Sequence, residues 1–101
     1  MSEEKYCLFI TRKTVEGLDI IGFPSNDFDS LRRLADVTVQ LPYVSDARIA
    51  PKNGAWPFWG SALYERKNFR GGNTFQEEWR FYADLTERLS DVDKKIVGYI
   101  V

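Results

Sequence analysis

The residues that could do chemistry are few, and their types are restrictive. The chain of 101 residues has no histidine and a single cysteine, Cys7. Without histidine there is no Ser-His-Asp or Cys-His arrangement, no imidazole proton transfer near neutral pH and no histidine-containing zinc site. One thiol cannot build an all-thiolate zinc or iron–sulfur centre. No G-x-x-x-x-G-K-[ST] or G-x-G-x-x-G run is present, so the familiar glycine-rich phosphate cradles are missing. Cys7 lies in the apolar run Tyr6 to Ile10 and reads as a small buried hydrophobe.

Carboxylates are what remains for catalysis. Asp27-x-Asp29 and Asp91-x-Asp93 could touch a hard cation, but neither continues into a D-x-D-x-D-G loop. Read locally, the first pair starts a helix and the second forms a solvated turn. Glu77 and Glu78 fit a helix N-terminus, where the backbone dipole favours negative charge. A metal-assisted hydrolase built on aspartates is therefore a remote alternative. No cofactor and no metal are expected, and the chain reads as a binding protein rather than an enzyme.

The richest cluster of recognition chemistry is aromatic and basic. Trp56, Phe58 and Trp59 crowd into PKNGAWPFWG, and Tyr64, Arg66, Lys67, Phe69 and Arg70 follow closely. Trp, Tyr and Arg dominate binding hot spots, because each buries a large area and still carries a polar tip. We take Trp56, Phe58, Trp59, Arg66, Phe69 and Arg70 as candidate partner-binding residues, with aromatics as anchors and arginines as bidentate partners for carboxylate or phosphate. The competing structural role for Trp56 and Trp59 is to fold back over an open sheet face.

Two kinds of partner suit this cluster. A protein or nucleoprotein partner would make the chain a small regulator or inhibitor, in the manner of phage-encoded inhibitors of bacterial defence, immunity proteins or adaptor subunits. The alternative is a nucleic-acid-binding accessory domain, with bases stacking on the aromatics. The doublets Arg12-Lys13, Arg32-Arg33, Arg66-Lys67 and Lys94-Lys95 would then need to converge into one patch. The formal charge of -1 argues against a general nucleic-acid coat. An acidic set, Glu77, Glu78, Asp84, Glu87, Asp91 and Asp93, offers a further docking face, interrupted by Arg80 and Arg88.

The elements that must position these residues follow from periodicity. Hydrophobic residues make up 44% of the chain, enough for a core and too many for disorder. The length suits a single domain over 1–101, with 1–4 as a loose tail. Lys5 to Thr11 reads as an interior strand, apolar on both faces, with Tyr6, Leu8 and Ile10 on one side. A hairpin connection ending at Gly17 leads to a second strand, Leu18 to Phe23, stopped by Pro24. Asp27 to Asp36 has capping oxygens and helical spacing of Phe28, Leu31, Leu34 and Ala35. Val37 to Leu41 alternates like a strand, and Tyr43 to Ala50 fits either a strand or a helical turn. Ser61 to Arg66 reads as another strand. Thr74-x-x-Glu77 resembles a capping box, opening a helix over Phe75 to Ser90 with Phe75, Trp79, Tyr82, Leu85 and Leu89 on its apolar stripe. Lys95 to Val101 reads as a last strand, set beside the first.

The order β-β-α-β-(β)-β-α-β points to α+β: a mostly antiparallel (mixed) sheet of 4–6 strands with two helices. No stretch is long and apolar enough for a membrane span, and the N-terminus lacks the basic start of a signal peptide. We therefore expect a cytoplasmic protein, of a cell or of a virus-infected host cell, with no membrane partner.

Overall fold

A computed structural model describes residues 5–51, 62–68, 74 and 77–97. The fold is α+β. Strands β1 (Tyr6–Thr14), β2 (Gly17–Ser25), β3 (Val44–Pro51) and β4 (Tyr64–Lys67) form an antiparallel sheet in the order β2-β1-β3-β4. Helices α1 (Phe28–Thr38), α2 (Glu78–Thr86) and α3 (Asp91–Val97) pack against it.

β1 is interior, as its two apolar faces require. Leu8 and Ile10 stand opposite Phe23 and Ile21 of β2, and opposite Ile49 and Ala47 of β3. These residues share a core with Leu31, Leu34, Phe81, Leu85, Leu89 and Val97 of the helical segments. Tyr6 stacks edge-on against Phe28, and Phe23 against Tyr82. None of the three helices lies on the opposite face, which carries Phe9, Thr11, Leu18, Ile20, Gly22, Asp46, Arg48 and Glu65. Cys7 is buried there, beside Gly22 and Ala50.

The β1–β2 hairpin turns through Val15 and Glu16. Gly17 follows at φ 129°, a conformation that side chains resist. The Thr14 hydroxyl ties the turn, accepting from the Glu16 amide and donating to the Gly17 carbonyl. Pro24 does not stop β2. It sits opposite Cys7 inside the strand, because β2 is an edge and tolerates a residue without an N–H.

α1 starts as its sequence dictates. Asp27 caps it, accepting from the Ser30 amide at 3.1 Å and the Ser30 hydroxyl at 2.9 Å. These bonds hold the Asp27 carboxyl below its ordinary pKa. Leu31, Leu34, Ala35 and Thr38 form the buried stripe.

The alternation of Val37 to Leu41 does not make a strand. The helix runs on to Thr38, whose hydroxyl donates to the Ala35 carbonyl, and the chain then tightens through Gln40→Val37 and Leu41→Thr38 backbone bonds. Burial of Val39 and Leu41 in the core outweighs the β-propensity of the run. Tyr43 to Ala50 resolves as strand β3, and the expected strand at Ser61 to Arg66 is β4, set later in the chain.

The second helical region also departs from the sequence reading. α2 begins at Glu78, and its N-cap Glu77 makes no side-chain cap bond, so no Thr74–Glu77 capping box opens it. Phe81, Leu85 and Leu89 carry the buried stripe, while Trp79 is 56% exposed. Phe75 lies outside the described residues. Lys95, Ile96 and Val97 are the last turn of α3 rather than a strand beside β1, a place that β3 takes. The remainder of that expected strand, 98–101, lies outside the described residues. Ser90 accepts from the Asp93 amide, and Asp91 and Asp93 open the helix while Lys94 and Lys95 close it. That charge order complements the helix dipole.

Candidate functional site

The helical side of the sheet carries two arginine–carboxylate assemblies around one open groove. The groove has a volume of about 660 Å³ and is lined by Arg33, Asp36 and Val37 of α1, by Arg88, Leu89 and Ser90, and by Asp93 of α3. On α1 the buried stripe turns Leu34, Ala35 and Thr38 toward the core. Positions 33, 36 and 37 then fall on the outer side by helical spacing.

At one end, Arg33 grips Asp93 with two hydrogen bonds of 3.0 Å and also donates to the Ser30 hydroxyl at 2.8 Å. Asp93 is buried, and its carboxyl is held below its ordinary pKa by the Arg33 hydrogen bonds, against the opposing effect of burial. Arg33 is raised by the same pair and stays half exposed. A fork-on-carboxylate pair of this kind fixes both position and orientation.

At the other end, Asp36 accepts from the Tyr64 hydroxyl at 2.6 Å and from Arg66 at 2.8 Å. Tyr64 and Arg66 stand opposite Ile49 and Ala47, so both leave β4 toward the helices. The Arg66 guanidinium is raised by its bond to Tyr64 and by the charge of Asp36, and it too stays half exposed. Arg88 donates to the Asp84 carbonyl at 2.9 Å, and the Asp84 carboxylate accepts from Tyr43 at 2.8 Å. Burial, then the bond to Asp84, pushes the Tyr43 phenol up.

A third arginine is treated differently. Arg12 is 2% exposed and meets Asp19 through 2.9 and 2.6 Å bonds and Glu78 through one of 2.7 Å. Its guanidinium lies 4.8 Å from the centre of the Phe81 ring. Burial alone would lower its pKa, but the hydrogen bonds and charges of the two acids outweigh this and raise it. This assembly locks β1 and β2 to α2.

The basic doublets are thus distributed among local acids. Arg12 pairs with Asp19 and Glu78, Arg32 with Asp29, Arg33 with Asp93, Arg66 with Asp36 and Lys94 with Asp91. In the acidic set, Glu78, Asp84 and Asp93 likewise engage internal partners. Among the described residues, no group of three His, Cys, Asp or Glu side chains is placed to hold a metal ion. No helix among them is long and apolar enough to cross a membrane.

Of the candidate contact residues, Arg66 is among the described ones and bonds Asp36 of the groove lining without itself lining the groove. Trp56, Phe58, Trp59, Phe69 and Arg70 lie outside the described residues. Sequence reasoning missed Arg33, Asp36, Arg88 and Asp93. The spacing of Tyr64 and Arg66, two apart on a strand, was a usable signal that both share a face. Their pairing with Asp36 crosses some 30 residues and had none.

Compared with known proteins, the chain matches no family model, no curated protein and no solved structure at a significant level.

Proposed function

We propose that the chain is a small non-catalytic domain that acts in the cytoplasm by binding a protein partner and regulating or inhibiting it, in the manner of an inhibitor, immunity or anti-defence protein. The observation that carries this reading is the pair of half-exposed arginines, Arg33 and Arg66, held by Asp93 and Asp36, two carboxylates of one groove lining. Arginines fixed before binding lose little conformational freedom on contact, and arginine is a recurrent hot-spot residue. The apolar floor of Val37 and Leu89 suits a side chain whose polar end meets the arginines.

The same ion pairs favour a protein over a nucleic acid. Phosphate binding draws on lysines and arginines that neutralise phosphates and release the nucleic acid's counterions, and here Arg12, Arg32, Arg33, Arg66 and Lys94 of the doublets already meet carboxylates under a net charge of -1. Trp56, Phe58, Trp59, Phe69 and Arg70 belong to the proposed contact set by residue type.

The test is affinity capture by the tagged chain from lysate of its native host, with and without nuclease. The expected result is a stoichiometric protein band that survives nuclease and is lost with Arg66→Ala. Recovery of nucleic acid alone would transfer the reading to a nucleic-acid accessory domain. Capture unaffected by both Arg66→Ala and Arg33→Ala would remove the groove from it.

A further inference from the structure

We propose that the outer edge of β2 pairs with the same edge of a second copy of this chain, joining two sheets about a two-fold axis at Ile20. This surface is separate from the arginine groove and does not depend on its function.

Which backbone groups face outward follows from one hydrogen bond. The Lys13 amide donates to the Tyr43 carbonyl at 2.7 Å, on the β3 side of β1. Odd-numbered residues of β1 therefore bond toward β3, and even-numbered ones toward β2. With Thr14 opposite Gly17 and Arg12 opposite Asp19, residues 17, 19, 21, 23 and 25 of β2 bond inward. Leu18, Ile20 and Gly22 then aim both N–H and C=O away from the sheet, and Pro24 aims only a C=O. Among the described residues no strand lies beyond β2.

The central part of this edge, Leu18 to Gly22, lacks the usual protection. Natural edge strands are blunted by lysine and other charges, by proline, by bulges or by short length, and of these the outward-bonding positions of β2 carry only Pro24, near its end. Here the strand has nine residues, and its outward-bonding positions carry Leu, Ile, Gly and Pro. Leu18 is 69% exposed and Ile20 is 46% exposed. The charge on β2, Asp19, points to the other face and is held by Arg12.

The pattern is complementary to itself. In an antiparallel pair centred on Ile20, Ile20 meets its copy, and Leu18 meets Gly22 of the other copy in both directions. Each of these pairs exchanges two hydrogen bonds, and Pro24 falls opposite the hairpin turn, where no donor is required. A register moved by two residues would set Pro24 against Leu18 and forfeit a bond at each end. Large also meets small: Leu18 falls opposite Gly22, which carries no side chain and where a Cβ would already stand 3.1 Å from Cys7 Sγ and 3.6 Å from the Phe9 ring. No like charges oppose one another at the outward-bonding positions.

Sedimentation equilibrium of the full chain tests the proposal. The expected result is a monomer–dimer equilibrium that Ile20→Lys shifts toward monomer by at least about tenfold, since it opposes two like charges across the axis. Circular dichroism melts should show that this variant stays folded. Independently, Ile20→Cys should cross-link to itself on mild oxidation, because hydrogen-bonded partners stand about 5.5 Å apart between Cα atoms. Pro24→Cys should not. A chain monomeric at all concentrations overturns the proposal and leaves the edge to an extended segment of another protein. So does a dimer that is indifferent to Ile20→Lys and forms no Ile20→Cys cross-link.

Discussion

On one face of the sheet Leu8, Ile10, Ala47 and Ile49 are covered by helical side chains; on the other, Leu18 and Ile20 meet water. Similar aliphatic residues thus have opposite surroundings on the two sides of the same sheet. The charged residues differ in parallel. On the covered face Arg12 is sealed under α2, Arg33 borders an open groove, and Arg66 pairs with Asp36 of its lining. On the other, Arg48 bridges Asp46 and Glu65 across neighbouring strands, with Nε 2.7 Å from Glu65. The difference separates side chains whose loss should unfold the chain from those whose loss should change what it binds.

The largest expected effect is at Phe81, fully buried and in contact with Tyr43, Tyr82 and Arg12. Phe81→Ala should cost about 3–5 kcal/mol in urea denaturation. Next is the charge on Arg12. Asp19→Asn combined with Glu78→Gln strands a buried guanidinium, and about 3 kcal/mol should be lost. A smaller loss in that pair than in Arg33→Ala would reverse the ranking of the two arginines. Arg33→Ala should cost about 1–2 kcal/mol, because water in the open groove partly solvates Asp93.

Acid and alkali should find the same face. Asp27 and Asp93 have carboxyls held low in the folded chain, so the unfolded chain binds more protons near pH 4. Their contribution is present above about pH 4 and is lost as pH falls through the folded values. Tyr43 is raised by burial and by Asp84, so the unfolded phenol ionises first, near pH 10. Its contribution is full below that pH and is lost as pH rises toward the folded value. Thermal melts across pH should show both slopes, and Tyr43→Phe should flatten the alkaline one. The smallest effects belong to exposed residues: Trp79→Ala and Leu18→Ser should each change stability by no more than about 0.5 kcal/mol. A melt of Trp79→Ala resembling that of Phe81→Ala would break the comparison.

The first half of the chain was largely legible. The apolar faces of β1, the Gly17 hairpin and the Asp27 cap are local signals, and each produced its element. Val37 to Leu41 and Lys95 to Val97 misled because β-branched residues suit a helix end when their burial demands it. Ser90 with Asp91 and Asp93 was a legible helix start that the apolar run after it obscured. Trp79 shows the limit of periodicity: the stripe through Phe81, Leu85 and Leu89 and the one through Trp79 differ by half a turn or less. Packing chooses between them. The groove was the least legible feature, since Arg33 and Asp93 lie 60 residues apart and no local pattern joins them.

The strand order has a consequence for how the chain folds and breathes. β1 is bonded along both edges, to β2 by a two-residue turn and to β3 only after the intervening helix has been closed into a loop. The hairpin can therefore form early, but half of the β1 amides stay open to solvent until the non-local closure succeeds. In the finished protein the order inverts: hydrogen exchange should be slowest along the centre of β1 and fastest at β4 and the free side of β2. Global unfolding then becomes the route by which the middle strand exposes its amides.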